Sequence, residues 1–353
     1  MEQIIHGDSL SELKKIESES IDLIFADPPY NLQLKGDLHR PNNSKVSAVD
    51  DDWDKFSSFE EYDTFSRKWL SESRRVLKKN GLIWVIGSYH NIFRVGKIMQ
   101  DLGLWILNDI LWIKTNPMPN FKGTRFTNAH ETMILASKSE KSKPHFNYHS
   151  MKIFNDDKQM RSDWYIPIAS GNERIKIDGE KAHSTQKPEE LLYRVILSTS
   201  KDGDLVLDPF FGSGTTGAVA KKLNRQFIGI EREEKYINIA KERIAKVERL
   251  NSKYLSLKVE TPKPKVPFGN LISSGFIEIG EDIFSDNRNF KAKVLANSSI
   301  EINELNGSIH KVSAELLKKS SNNGWDFWFV ERNGELISID KLRMEYAKQF
   351  LKG

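Results

Sequence analysis

Short apolar runs alternate with stretches whose large apolar side chains recur at every third or fourth place, from residue 4 to about residue 255. Runs of the first kind read as buried strands and stretches of the second kind as amphipathic helices. Strands are expected over residues 4–5, 21–26, 81–87, 105–113, 131–136, 205–207 and 227–230. Helices are expected over residues 9–16, 59–77, 91–102, 187–198, 215–223 and 233–250, the fourth with its proline at a permitted early position. Strand–helix alternation of this kind predicts an α/β fold whose mostly parallel sheet is covered on both faces.

Three stretches break the alternation. Residues 31–58 are polar and carry Lys35, His39, Arg40 and Lys45 ahead of the acidic run Asp50-Asp51-Asp52. Residues 114–182 show little sustained periodicity. Residues 256–267 hold three prolines, which cannot join a sheet interior, and read as a linker. The chain of 353 residues also exceeds one ordinary core. The expected organisation is therefore a domain over 1–255 with inserts at about 31–58 and 114–182, the linker, and a small α+β domain over 268–353. The last should hold helices over 313–319 and 339–350 around the cluster Trp325-Asp326-Phe327-Trp328-Phe329.

Composition narrows the class. Cysteine is absent, which excludes disulfides and thiol nucleophiles and fits a reducing compartment. No apolar run approaches a membrane span and no signal peptide is suggested, so a cytoplasmic protein without a membrane partner is expected. The formal charge of +4 is a mild excess, which makes local basic clusters more telling than the total.

The chemistry begins where the run over 21–26 ends, at Asp27-Pro28-Pro29-Tyr30. An acid there can accept a hydrogen bond from an exocyclic amine. Two prolines stiffen the turn and leave carbonyls without competing N–H donors. The tyrosine offers a flat face for a base, or ordinary strand-end packing. Together they suit the amino group of a nucleobase flipped from its stack. No HExxH pattern or tight Cys/His cluster occurs, and no metal is expected.

A second motif follows the strand over 205–207: Asp208-Pro209-Phe210-Phe211-Gly212-Ser213-Gly214-Thr215-Thr216. Small residues between a strand and a helix let backbone approach a ligand and expose free N–H groups at the helix N-terminus. The triple-glycine dinucleotide pattern and the phosphate-loop lysine are both missing, and an amino-acid carboxylate would suit the donors as well as a phosphate. The next strand ends at Glu231, placed to hold ribose hydroxyls. Asp8, at the end of the first strand, reads either as a contact to a nucleoside base or as a helix cap.

These two motifs resemble the amino-methyltransferases of DNA that use S-adenosyl-L-methionine. A leading Asp in the tetrapeptide points to adenine N6, and its position ahead of the glycine loop is that of the beta group, whose Rossmann-like fold is circularly permuted. Residues 181–188 look like that group's additional cofactor motif, which implies Ser184, Thr185 and Lys187 as cofactor contacts, with residues 185–188 near the methionine part. Asp8 and Glu231 match the acids that contact adenine and ribose. The remainder, including residues 31–53, 87–92, 114–126 and the tail, resembles the cell-cycle-regulated adenine methyltransferase of alphaproteobacteria and the HinfI-like modification methylases, both acting on GANTC. The resemblance implies double-stranded DNA as substrate, a homodimer and, on the modification side, a cognate restriction endonuclease.

Candidate DNA contacts are Lys35, His39, Arg40, Lys45, Lys122 and Arg125 for phosphates or base edges, and Asn31 and Asn120 for paired hydrogen bonds to a base. In the tail, Lys311, Trp325 and Arg332 suit splayed bases and their backbone, although a tryptophan-rich small core serves Trp325 and Trp328 equally. Two alternatives remain open on the residues: a cytosine-N4 or RNA-directed methyltransferase, and a non-catalytic DNA-binding protein on the same scaffold.

Overall fold

The computed structural model describes residues 1–32, 54–120, 123–177, 180–181, 185–251 and 263–351. Lys35, His39, Arg40, Lys45, Lys122 and Ser184 lie outside the described residues, as does residue range 256–262 of the expected linker. The chain divides into two compact units, Met1–Lys258 and Val259–Gly353.

The first unit contains β1 (Glu2–His6), α1 (Ser9–Leu13), β2 (Ile21–Ala26), α2 (Phe59–Val76), β3 (Leu77–Gly87), α3 (Ile92–Asp101), β4 (Trp105–Lys114), β5 (His130–Ser137), α4 (Tyr148–Ile153) and β6 (Asp163–Ile166). It continues with β7 (Lys176–Ile177), β8 (Glu180–Lys181), α5 (Glu189–Thr199), β9 (Leu205–Asp208), α6 (Thr215–Lys222), β10 (Gln226–Glu231) and α7 (Glu234–Ala245). Eight strands form one sheet in the order β1-β10-β9-β2-β3-β5-β4-β6. Only β5 runs against its neighbours; every other pair in this sheet is parallel.

Period-two alternation sends successive strand residues to opposite faces. Leu23, Phe25, Leu82, Trp84 and Val206 join one core with Leu191, Val195, Ala218 and Ala240 from α5, α6 and α7. Ile24, Ala26, Ile83, Val85 and Leu207 join the other with Leu13, Tyr62, Trp69 and Val95 from α1, α2 and α3. Strands buried on both sides explain why the sequence shows them as continuous apolar runs.

The site is placed by connectivity. From β2 the chain crosses through α2 to β3 on one side; from β9 it crosses through α6 to β10 on the other. β2 and β9 are themselves paired, with Leu23 opposite Val206 and Ile24 opposite Leu207. The crossovers therefore diverge between them, and at such a switch point a crevice opens beyond the carboxyl ends of the strands.

One packing contact ties the core to that crevice. Phe211 stacks on Phe227 with centroids 5.8 Å apart and lies over Gly229, where an added Cβ would come within 2.3 Å of its ring. Gly229→Ala is expected to push Phe211 off the strand at a cost of about 1–3 kcal/mol. Thermal unfolding of the variant checks this: its Tm should fall by several degrees, and a wild-type Tm would contradict the contact.

Three helices depart from expectation for local reasons. α1 ends at Leu13, beyond which the Lys15 and Ile16 N–H groups bond carbonyls three residues back, at Glu12 and Leu13. α7 ends at Ala245, because beyond it Leu250 N–H bonds the Lys222 carbonyl and Arg249 reaches Glu2 and Asn224. In the second unit the helix expected over 313–319 is Ile309–Leu316, since the Ser308 hydroxyl caps it by accepting the Lys311 N–H. That unit is an antiparallel six-stranded sheet, β14 (Leu305–Gly307), β13 (Ile300–Ile302), β12 (Lys291–Val294), β11 (Asp282–Ser285), β15 (Trp328–Arg332) and β16 (Glu335–Ser338) in spatial order. Its core gathers Trp325, Trp328, Ile309, Val312 and Leu342.

Candidate active site

A cleft of about 980 Å³, counted out to its open mouth, lies at the switch point. The end of β2 forms one wall with Asp27 and Pro29, and the glycine loop after β9 forms the other with Asp208, Phe210, Gly212, Ser213 and Thr215. Asp8, Thr185, Lys187 and Glu231 complete the lining among the expected site residues.

The turn after β2 is held by unusual means. Pro28 and Pro29 cannot donate, and the next three N–H groups, of Tyr30, Asn31 and Leu32, all point to the Asp54 carboxylate at 2.5, 2.8 and 2.9 Å. The Pro29 carbonyl accepts from the Tyr62 hydroxyl at 2.8 Å, and Asn91 donates to that hydroxyl at 3.1 Å while its own carbonyl takes the Ser88 N–H. No donor among the described residues reaches the Pro28 carbonyl.

Charge is concentrated behind this turn. Lys187 Nζ sits 2.6 Å from Asp27 Oδ2 and 3.9 Å from Glu131 Oε2, and Lys114 Nζ is 2.8 Å from Glu131 Oε1. The Tyr30 hydroxyl donates to Glu131 at 2.9 Å, and the Lys187 ammonium lies 5.3 Å from the Tyr30 ring centre. Burial pushes the Asp27 carboxyl above the ordinary range, and Lys187 offsets only part of that rise. Burial also opposes ionisation of Glu131, yet Lys187 and Lys114 outweigh it and leave Glu131 below its usual value. Burial lowers and the two acids raise Lys187, with a net rise that keeps it charged. Tyr30 is driven far up by burial and the neighbouring Asp27 and Glu131, so it remains a phenol.

The opposite wall offers donors and acids. Gly212 and Gly214 take the left-handed region, at φ 51° and 75°, and an added Cβ on Gly214 would meet Ala240 at 2.7 Å. Gly214 starts α6 without any side-chain cap, leaving first-turn N–H groups open beside Ser213, Thr215 and Thr216. Asp208 takes the Phe210 N–H at 2.9 Å and the Thr216 hydroxyl at 2.5 Å, and burial pushes its carboxyl up to about 7. Glu231 receives the N–H groups of Gly212 and Glu233 at 2.7 and 2.8 Å. Asp8 Oδ1 caps α1 by accepting the Ser11 N–H at 3.1 Å, while no donor among the described residues reaches Oδ2. The helix-cap reading of Asp8 therefore holds, and Oδ2 is left available for a ligand. Phe65 and Phe210 face each other 6.2 Å apart as an apolar wall.

This set fits S-adenosylmethionine. The uncapped helix end suits its carboxylate, Glu231 suits ribose hydroxyls, the aromatic pair suits adenine, and the free oxygen of Asp8 suits the adenine amine.

Elsewhere the structure separates what the sequence grouped. The Lys187 ammonium stands on Asp27, toward the tetrapeptide. Asn31 is buried, with its N–H on Asp54. Trp325 and Trp328 are the core of the second unit: Trp325 is covered by Phe268 and by the Arg343 guanidinium 4.5 Å above its ring, so it offers no free face to a base. Arg332 is spent on Glu281 and the Phe276 carbonyl. Arg125 and Lys311 are exposed, and Asn120 is half-buried. Glu131, Lys114, Asp54 and Tyr62 were not singled out from the sequence. An ionisable residue heading an apolar strand, as Glu131 does, was the available signal; Asp54 was hidden behind the acidic run before it.

Comparison with known proteins agrees with this geometry. The DNA methylase family pattern (N6/N4 methyltransferases) matches residues 21–242, and a pattern described as Restriction Enzyme Adenine Methylase Associated matches residues 252–352. The chain is 54% identical to the Type II methyltransferase M.HinfI of Haemophilus influenzae over 347 residues, 98% of this chain and 97% of that protein. It is 49% identical to the Type II methyltransferase M2.LlaDCHI of Lactococcus lactis subsp. cremoris, over 69% of this chain and 89% of that one. Among solved structures, the M1.HpyAVI–SAM complex aligns at 28% identity with a TM-score of 0.52, covering 69% of this chain and 99% of the other. The cytosine-N4-specific PvuII DNA methyltransferase aligns at 22% identity with a TM-score of 0.53, covering 72% and 95%, which shows a common fold alone. The chain belongs to the N6/N4 DNA methylase family and is an S-adenosylmethionine-dependent DNA methyltransferase.

Proposed function

We propose that this enzyme transfers the methyl group to N6 of a flipped adenine within GANTC. The observation that carries the proposal is the pair of acceptors at the end of β2: the Asp27 carboxylate in the cleft wall and the Pro28 carbonyl left without a donor. An exocyclic amine has two N–H bonds, and two fixed acceptors hold both while turning its lone pair toward the cofactor side. When bound, the cofactor supplies a methyl group activated on sulfur. Most of the catalysis then comes from orientation and fixed charge.

Each residue has a part. Lys187 favours the ionised form of Asp27 against burial, which matters because a protonated carboxyl would donate where acceptance is needed. Tyr30, held by Glu131, presents its ring beside the amine's position. As the nitrogen gains its methyl group it must lose one proton, and Asp27 is the base in place to take it. The glycine loop, Asp8, Thr185 and Glu231 hold the cofactor opposite.

The choice of adenine rests on the leading Asp of the tetrapeptide and on the tail pattern, whose description is of adenine methylases. β2, β3 and β4 finish at one edge of the sheet, so the residues following β3 and β4 share the Asp27 side. There Arg125 donates to the Tyr89 hydroxyl, the Tyr89 and His90 rings lie 4.1 Å apart and tilted, and Phe126 is 99% exposed. This aromatic and basic edge is the proposed DNA face; Lys35, His39, Arg40, Lys45 and Lys122, outside the described residues, remain DNA contacts proposed from the sequence, and Lys311 serves the second unit.

Within the same reading the enzyme is a cytoplasmic homodimer on DNA and shares its target with a restriction endonuclease, as the Type II naming of its relatives suggests. Duplexes altered at one base test the target. Changing G or C of GANTC should cost about 1–3 kcal/mol in transfer, replacing the A–T pair should remove the acceptor of that strand, and changing the central base should cost nothing. Equal methylation of all duplexes would overturn GANTC as the site.

A further inference from the structure

We propose that Asp54 is a positioning residue for this reaction: its carboxylate gathers the N–H groups of Tyr30, Asn31 and Leu32 and thereby fixes where Asp27 and the Pro28 carbonyl stand. The inference rests on the methyl transfer proposed above and adds a residue to its machinery.

The need for it follows from the tetrapeptide. The β2 ladder ends at Ala26, paired with Val85. Two prolines then remove the N–H groups of positions 28 and 29 from the turn. The next three N–H groups converge on one carboxylate, at 2.5 and 2.8 Å to Oδ1 and 2.9 Å to Oδ2. Such convergence needs a change of backbone hand, which Asn31 supplies at φ 54°. Consecutive N–H groups in this arrangement form an anion-binding hollow, filled here by the protein's own acid.

Asp54 is only 4% exposed, and a buried carboxylate without partners is costly. Carboxylate and turn therefore stabilise each other. The other ties act elsewhere: Tyr62 on the Pro29 carbonyl and Glu131 on the Tyr30 hydroxyl. Among the described residues Asp54 alone holds the N–H groups of 30–32. Without it the turn can rotate between Pro29 and Tyr30 and shift the two acceptors relative to the Tyr30 ring, and an ångström of misplacement costs about a hundredfold in rate.

Asparagine at this position gives a graded test. Its single oxygen can keep the two bonds made by Oδ1, while its amide nitrogen meets the Leu32 N–H, donor against donor. Turnover, cofactor affinity by calorimetry and thermal unfolding are measured for the full chain and for Asp54→Ala and Asp54→Asn. Asp54→Ala should lose on the order of 100-fold in kcat and Asp54→Asn about tenfold, each with a cofactor Kd within about twofold of wild type. An Asp54→Ala kcat within about threefold of wild type overturns the role, as does a parallel loss of cofactor affinity. If Asp54→Ala does not fold, Asp54→Asn decides alone, and a wild-type kcat there overturns the role. A wild type that methylates cytosine would refute the adenine reaction, yet the variant-to-wild-type ratios would still decide on Asp54.

Discussion

Asp27→Ala is expected to reduce methyl transfer by about a thousandfold or more while leaving cofactor binding within a few-fold of wild type. The carboxylate is one of two acceptors for the amine and the base that takes its proton, so its loss acts only on the reacting end. The cofactor wall does not depend on it: the open end of α6, Asp8 and Glu231 are held by their own bonds. Lys187, freed of its partner, has Glu131 3.9 Å away to receive its charge, so the fold should survive. Single-turnover transfer and calorimetry on the same preparation separate the two effects. Transfer within about tenfold of wild type would remove Asp27 from the mechanism.

Lys187→Gln should move the acid limb of the rate profile to higher pH. Burial raises the Asp27 carboxyl, and Lys187 is the largest influence pulling it back down. The other groups facing Asp27 cannot replace it: Glu131 and the more distant Asp54 and Asp208 are acids, and Tyr30 is a phenol. Activity needs the carboxylate, so it is lost as pH falls through the Asp27 pKa. Removing the ammonium raises that pKa by about 1–3 units, so the loss sets in at higher pH. On the acid limb, below both pKa values, turnover should drop tenfold or more, by the same estimate of about 1–3 units, and recover toward alkaline pH. A uniformly lower rate with an unmoved limb would mean that Lys187 merely fills space.

How far the site could be read from sequence depends on what each residue answers to. Asp27 and the glycine loop stand where apolar runs stop abruptly, and burial of β2 and β9 on both faces makes those stops visible. Asp8, Glu231 and the lining of Gly212 to Thr215 follow from strand order alone. The ion network behind the turn does not. Glu131 and Lys114 come from β5 and β4, and only the reversal of β5 between β3 and β4 brings them under Tyr30. Lys187 carries a four-carbon stem that reaches either wall, so its neighbours in sequence cannot say which acid it meets. Trp325 could have faced solvent, but a unit of this size needs its aromatics inside, and the sheet closes over both tryptophans. Tyr62 sits on the buried face of α2 like any core residue, and nothing local marks the hydroxyl that holds Pro29.

The measurement to make first is the identity of the methylated nucleoside. Purified enzyme, labelled S-adenosylmethionine and a GANTC duplex are incubated, and the DNA is hydrolysed and resolved. All label should appear as N6-methyladenosine of the deoxy series. Label in N4-methylcytosine, or none in the DNA, would contradict an adenine held between Asp27 and Pro28.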